Sequence, residues 1–243
     1  MRRTDRRHDH LARPRLIVDS TMVLYIGMVD VVPEHRCGVT VFGAGIDGPV
    51  RVQCGDRISE GRLFMMAPGI IRSVTAFASR LGVLLIDPGV QVTDTIAPPR
   101  TLASLTRLAA CPDPAAWRDL KASLALGPRT ATLPTAVQQA ARLIDVSEHH
   151  AMIASEIATC VGLSTSRLEH LFSESMGTPM GAYRTWRRFR GIASAIANGA
   201  NLTEAAHQSG FYDSAHFTRS FKAAFGLSPS MIFQPDLRID LLQ

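Results

Sequence analysis

The side chains best placed to do chemistry fall in two similar stretches. Ser155-Glu156-Ile157-Ala158, Gly162-Leu163, Leu168, Phe172 and Gly177 recur as Thr203-Glu204-Ala205-Ala206, Gly210-Phe211, Phe217, Phe221 and Gly226. The offset is 48 residues up to the glycine and 49 beyond it, so the second copy carries one extra residue in its turn. Pro179 and Pro229 follow the two copies in similar places. Each copy reads as two helices joined by a tight turn. Ala158 and Ala206 are small where the helices must cross closely, and Gly162 and Gly210 supply the positive φ of a sharp turn. Ser164 and Asp213 are good N-caps for the helix that follows. Leu168, Leu171 and Phe172, like Phe217 and Phe221, form a stripe that docks this helix on its partner. The opposite face is left free, and a free helix of this kind can enter a major groove. One copy alone would be weak evidence, because helical bundles use the same turns; two copies with the same cap and stripe point to DNA.

The elements that must position these helices follow from periodicity and punctuation. Helices are predicted over 136–146, 151–160, 164–175, 178–197, 202–208, 214–224 and 229–233. A 20-residue helix over 178–197 would span about 30 Å. One turn of duplex is about 34 Å, so such a spacer could hold both units over successive major-groove segments. Upstream, apolar or β-branched runs alternate with Gly, Pro and Asp: 16–19, 22–26, 38–42, 50–53, 62–66, 70–77 and 83–86. Val50-Arg51-Val52-Gln53 alternates with period two, and Asp47-Gly48 and Gly55-Asp56 supply turns, so a small barrel or sandwich is predicted. Pro98-Pro99 marks a boundary, after which 101–110 and 115–126 read as short helices that either dimerise or simply pack.

With 243 residues, the length suits two domains, each able to bury a core. The formal charge of +5 is uneven: residues 1–15 carry six Arg against two Asp, whereas 135–243 hold nine basic and nine acidic residues. Charge therefore points to DNA only through local placement, as in the cluster Arg184, Arg187, Arg188 and Arg190. The basic start reads as a solvated arm or one that touches phosphate. No apolar run reaches the roughly 18 residues needed to cross a bilayer, and Asp19 and Ser20 interrupt any signal-like core. A cytoplasmic, nucleoid-associated location and no membrane partner are expected. Cys37, Cys54, Cys111 and Cys160 form no close pair, so buried thiols are expected rather than a disulfide or redox motif.

These motifs resemble the DNA-binding domain of the AraC/XylS family of transcriptional regulators. The match is densest at Leu202 to Ala206, Gly210-Phe211 and His216-Phe217-Thr218-Arg219-Ser220-Phe221-Lys222 through Pro229, and extends over roughly 135–235. The resemblance implies an α+β, multi-domain chain: a basic tail (1–15), a cupin-like sensor or dimerisation β-barrel (16–99), short helices and a linker (100–134), and an all-α domain with two helix-turn-helix units joined by a long helix (135–235). By the same resemblance, the base-facing positions are Ser166, Glu169 and His170, with Arg167 beside them, and Ser214, Ala215, His216 and Arg219. Arg219 could pair with guanine, Glu169 accept from cytosine and His216 donate to a purine. Thr218 and Lys222 suit phosphate, and Ser164 helps cap its helix. Arg184, Arg187 and Arg188 either face phosphate or form a solvated face. The expected partners are double-stranded promoter DNA and RNA polymerase, with a small-molecule effector and a homodimer left open. The sign of regulation, activator or repressor, is left open, no cofactor is expected, and the chain is not expected to be an enzyme. The alternative is a cupin-type metal enzyme with an appended DNA-binding domain. Against it, His35 stands with Arg36 and Cys37, and Arg72 occupies a position that often carries histidine, so no 2-His-carboxylate set can be assembled. Arg72 and Arg51 could pair an anionic ligand, although surface or intramolecular partners are the simpler reading.

Overall fold

A computed structural model describes residues 13–77, 79–92, 98–111, 113–128, 133–146 and 152–242. Most of the basic N-terminal tail lies outside the described residues. Ten strands come first: β1 (Arg15–Val18), β2 (Met22–Met28), β3 (Val31–Arg36), β4 (Thr40–Gly45), β5 (Val50–Cys54), β6 (Arg57–Gly61), β7 (Leu63–Met66), β8 (Ile71–Thr75), β9 (Arg80–Ile86) and β10 (Val90–Val92). Helices α1 (Pro98–Ala110) and α2 (Pro114–Ser123) and strand β11 (Leu126–Pro128) follow. The chain then runs through α3 (Thr135–Val146), α4 (Ala154–Cys160), α5 (Thr165–Met176), α6 (Met180–Ala197), α7 (Leu202–Gln208), α8 (Ser214–Phe225), α9 (Pro229–Ile232) and β12 (Arg238–Leu241). The fold is α+β, with a β domain of two sheets ahead of a helical domain, the order expected from the sequence.

The β domain has a six-stranded sheet, ordered β12-β1-β2-β9-β4-β7, and a four-stranded sheet, ordered β3-β8-β5-β6. Both faces of the larger sheet are buried, which is why β2 reads as a nearly unbroken apolar run. Met22, Leu24 and Ile26, with Leu84 and Ile86 of β9, face outward onto Leu105, Leu108, Trp117 and Leu120 of α1 and α2. The two helices after the proline boundary are thus packing helices of this sheet. The alternate residues, Val23, Tyr25 and Leu81, face inward towards Val50, Val52 and Val74 of the smaller sheet. There the expected alternation is visible, with Val50 and Val52 buried and Arg51 and Gln53 exposed.

Trp186, Phe189, Phe211, Phe217 and Phe221 from the helical domain join that same inner core. The end of the chain also returns to the β domain. Strand β12 pairs parallel with β1, Arg15 opposite Arg238 and Val18 opposite Leu241, and Asp240 meets Arg15. Strand runs were missed at β3, β6, β10, β11 and β12 because they are polar, short or edge segments with little apolar signal.

Asp19, in the turn between β1 and β2, ties α2 to the sheet. Its buried carboxylate accepts from the Thr21 and Met22 amides at 2.7 and 2.9 Å, from Trp117 Nε1 at 2.9 Å and from Lys121 Nζ at 2.7 Å. Burial pushes this carboxyl up, but the bonds from Lys121, Thr21 and Trp117 outweigh it and hold the group below the usual carboxylate range. A folded-state value below the unfolded one gives stability that is full above about pH 4 and is lost as pH falls through the folded value. Asp19→Asn is expected to cost about 2 kcal/mol in urea denaturation at pH 7. The gap from the unaltered chain should shrink below pH 4, and a gap that stays constant down to pH 2.5 would contradict this role.

Candidate nucleic-acid interface

Both repeats fold as two helices around a glycine turn. In the first, α4 ends at Gly162 (φ +70°), Ser164 accepts from the Arg167 amide at 3.3 Å, and α5 closes on Gly177 (φ +67°). In the second, α7 ends at Gly210 (φ +78°), Asp213 caps α8 through the His216 amide, and α8 closes on Gly226 (φ +76°). Each first helix opens with a glutamate reaching back to a backbone amide, Glu156 to Ile153 at 2.9 Å and Glu204 to Asn201 at 3.0 Å. Ala158 and Ala206 are buried at the two crossings, as are Leu168 and Phe172 in one stripe and Phe217 and Phe221 in the other.

Docking those stripes inward turns the remaining faces out. Ser164, Ser166, Arg167, Glu169 and His170 are exposed on the first unit. On the second, Ser214, Ala215, Thr218, Arg219 and Lys222 are exposed, and His216 is half-buried edge-on against Phe211, with ring centroids 5.5 Å apart. Thr218 donates to the Ser214 carbonyl at 2.7 Å, and His170 lies 3.9 Å from the Glu174 carboxylate. These faces offer hydroxyl, guanidinium, imidazole, ammonium and carboxylate groups, the donor and acceptor types that read base edges and phosphates. The extra residue in the second turn is Tyr212, which is 86% exposed immediately before the α8 cap. The one-residue offset in the repeat was the signal that could have singled it out.

The connecting helix α6 has 18 residues, not 20, because Thr178 and Pro179 lie ahead of it. Thr178 instead donates to the Gly38 carbonyl of the β domain at 2.5 Å. The helix therefore spans about 27 Å. Its first half, Met180 and Tyr183, belongs to the core of the first unit, and its second half, Trp186, Phe189, Ile192 and Ala193, to the core of the second.

Arg187 does not face phosphate. Its guanidinium lies 2.7 Å from Asp145 at the end of α3 and 3.2 Å from Asp87 at the end of β9. Asp87 also accepts from Trp186 Nε1 at 3.1 Å and Arg190 at 2.8 Å, while Arg190 donates to the Asp19 carbonyl at 2.6 Å. Burial raises the Asp145 carboxyl despite the Arg187 charge beside it. Arg188 lies over the Phe211 ring, 5.6 Å from its centroid, and burial lowers its pKa. Sequence spacing could not show this, because the carboxylates that claim the cations lie about 40 and 100 residues away. In the β domain, His35 and Arg72 are direct cross-strand partners on β3 and β8. Among the described residues, no group of three His, Cys, Asp or Glu is placed to hold a metal.

Residues 157–234 match the family model of a helix-turn-helix domain, a span that begins within α4 and takes in the rest of both units. ToxT from Vibrio cholerae superposes with a TM-score of 0.56 at 12% identity, covering 87% of this chain and 97% of that one. ToxT with an unsaturated fatty acid bound gives 0.57 at 10% identity, over 87% and 94% of the two chains. A regulator from Chromobacterium violaceum with an AraC-type DNA-binding domain is 22% identical over 41% of this chain and 94% of its own, with a TM-score of 0.36. No curated protein sequence matches this chain. The C-terminal helices are thus similar to a helix-turn-helix domain. The likeness to ToxT is one of fold, across both the β domain and the helices. No helix among the described residues is long and apolar enough to cross a membrane.

Two of the left-handed glycines, Gly162 after α4 and Gly226 after α8, share a backbone conformation but lie in different surroundings. A Cβ at Gly162 would meet nothing within 4 Å, whereas one at Gly226 would lie 2.8 Å from both the Pro33 carbonyl oxygen and Val32. Gly162→Ala should therefore cost only the left-handed strain, about 1 kcal/mol. Gly226→Ala should cost at least 1 kcal/mol more, because the end of α8 must lift off β3. Equal losses in chemical denaturation would show that α8 does not press on the β domain.

Proposed function

We propose that this chain is a sequence-specific transcriptional regulator that places α5 and α8 in successive major-groove segments of promoter DNA. What carries the reading is the pairing of two helices, each exposed opposite a buried stripe, on one continuous helix about 27 Å long. On the first helix, Ser166, Glu169 and His170 read bases and Arg167 supports them, with Ser164 holding the cap close to phosphate. On the second, Ser214, Ala215, His216 and Arg219 read bases, while Thr218, Lys222 and the exposed Tyr212 meet the backbone. Bending or overtwisting of the duplex makes up the difference between the helix length and a full turn of about 34 Å.

The β domain is read as a sensor and not as an enzyme, because the residue facing His35 is a cation, Arg72, where a metal site would want a neutral or anionic ligand. ToxT has been solved with an unsaturated fatty acid and with a substituted butenoic acid, both carboxylic acids, which supports a small-molecule effector here as well. Occupancy of the promoter then reaches RNA polymerase, and the regulator works in the bacterial cytoplasm on the nucleoid.

Fluorescence anisotropy with DNA from upstream of the chain's own operon tests the reading. Arg219→Ala should weaken cognate binding by about 1–3 kcal/mol and random DNA by much less. Lys222→Ala should weaken both alike and lower the salt slope by about one. Equal losses for Arg219→Ala on the two DNAs would contradict base reading.

A further inference from the structure

A cleft of about 490 Å³ opens between the first half of α6 and the second half of α8, with β3 and the turn after it on its rim. Gly181 and Thr185 line it from α6, and Ser220 and Ala223 from α8. Each wall is a single helix face: residues 181, 185 and 188 follow the i, i+4, i+7 spacing, as do 216, 220 and 223. Arg188 and His216 extend the two faces and converge on Phe211, with Arg188 Cζ 5.6 Å and the His216 ring 5.5 Å from its centroid. Ala223 is exposed one turn beyond Arg219, so the α8 wall is the flank of the recognition face. The start of α6 belongs to the first unit through Met180 and Tyr183, which makes the cleft the saddle between the two units. Among the described residues, no carboxylate lines this saddle, and small side chains on both walls let another backbone come close. The β domain supplies a cation to it. Arg36, at the end of β3, lines the cleft, is exposed, and has no hydrogen-bond or ion-pair partner among the described residues. Two contacts hold it there. Thr178 donates to the Gly38 carbonyl at 2.5 Å, and a Cβ on Gly38 would stand 2.8 Å from the Ala182 Cβ. At the far end, Arg188 Nε is shut off from solvent without a hydrogen-bond acceptor. From 181 to 188, α6 rises about 10 Å, the rise of about three nucleotides in B-DNA.

We propose that this saddle seats the DNA backbone running between the two major-groove segments, with Arg36 of the β domain and Arg188 of α6 pairing with its phosphates. The proposal rests on the two-groove reading above and adds a third contact to it, made in part by the domain read as a sensor. A guanidinium offers two parallel N–H groups to phosphate oxygens, and a phosphodiester chain suits a long, open cleft that carries cations and no acid. Gly181, Ala182 and Ala223 leave room for that chain, where longer side chains would hold it off. Such contacts carry no base information, so they strengthen cognate and random DNA alike and set the register of the recognition helices. Because Arg36 rides on β3, any shift of the β domain against α6 changes DNA affinity without touching a base.

The test is fluorescence anisotropy of the full chain on cognate and random duplexes across a salt series. Arg36→Ala and Arg188→Met should each lower the salt slope by about one on both duplexes, a loss of about fivefold at 0.15 M salt. Arg36→Lys and Arg188→Lys should keep the slope. Arg57→Ala removes an equally exposed cation from β6, the opposite edge of the smaller sheet from β3, and should leave the slope unchanged. A cognate duplex with neutral methylphosphonate linkages between the two contacted segments should bind the unaltered chain more weakly and Arg36→Ala no more weakly still. The proposal is overturned if either Arg36→Ala or Arg188→Met keeps the full slope, or if Arg57→Ala lowers it as much. It is also overturned if the Arg36→Ala loss persists on the methylphosphonate duplex. The two readings fail separately. Base selectivity through Arg219 with an unchanged slope for Arg36→Ala defeats only the saddle, and the expected slopes without any preference for cognate DNA defeat only the sequence-specific regulator.

Discussion

The arrangement of this molecule depends on one side chain, Phe189, and the aromatic cluster it organises. Its ring centroid lies 5.6 Å from that of Phe211, 5.4 Å from Phe221 and 4.9 Å from Phe225. These rings are the core of the second helix-turn-helix unit, yet they also close the inner face of the β domain over Val23, Tyr25 and Leu81. Full burial of each large apolar side chain contributes on the order of 1.5–3 kcal/mol, so separating the unit from the β domain would expose both partners at once. Shared burial, and not the linker, fixes where α8 sits. The ion cluster around Asp87 then sets the rotation of α6, because Trp186, Arg187 and Arg190 all converge on one carboxylate.

The two units are therefore alike in fold and unlike in attachment. The first has its own core, built from Val137, Ala140, Ile157, Leu168, Phe172 and Tyr183. It is tied onward through α6, by Arg187 to Asp145 and by Thr178 to the Gly38 carbonyl. The second is continuous with the β domain, pressed on β3 at Gly226 and strapped by β12 along β1. In the proposed regulator, an effector signal has a direct mechanical route to α8 and reaches α5 along α6 and through the Thr178–Gly38 hydrogen bond.

Local features were legible in the sequence wherever a short-range rule governs them. The caps Ser164 and Asp213, the left-handed Gly162 and Gly210, the small Ala158 and Ala206 and the inward stripes all follow from spacing within a dozen residues. The alternation of Val50 and Val52 with Arg51 and Gln53 was equally readable. Long-range partnerships were not. Arg187 reads as a surface cation until Asp87 and Asp145 are brought to it, and the stripe Phe217-Phe221 reads as the private core of one unit until the open side of the β domain is placed against it. The final strand was missed because four residues with two charges carry almost no strand signal, and only the free edge of β1 selects them. The extra Tyr212 was visible as an offset in the repeat, but its exposure beside the cap depends on how the turn closes.

Native-state hydrogen exchange tests the shared core most directly. If the second unit is built into the β domain, the amides of α7 and α8 should exchange through the same opening, with the same free energy and denaturant dependence, as those of β2 and β9. The amides of α3, α4 and α5 should open separately and more easily. If α7 and α8 instead exchange together with α3 to α5, in an opening that leaves β2 and β9 protected, the helical domain is an independent body and the account is wrong.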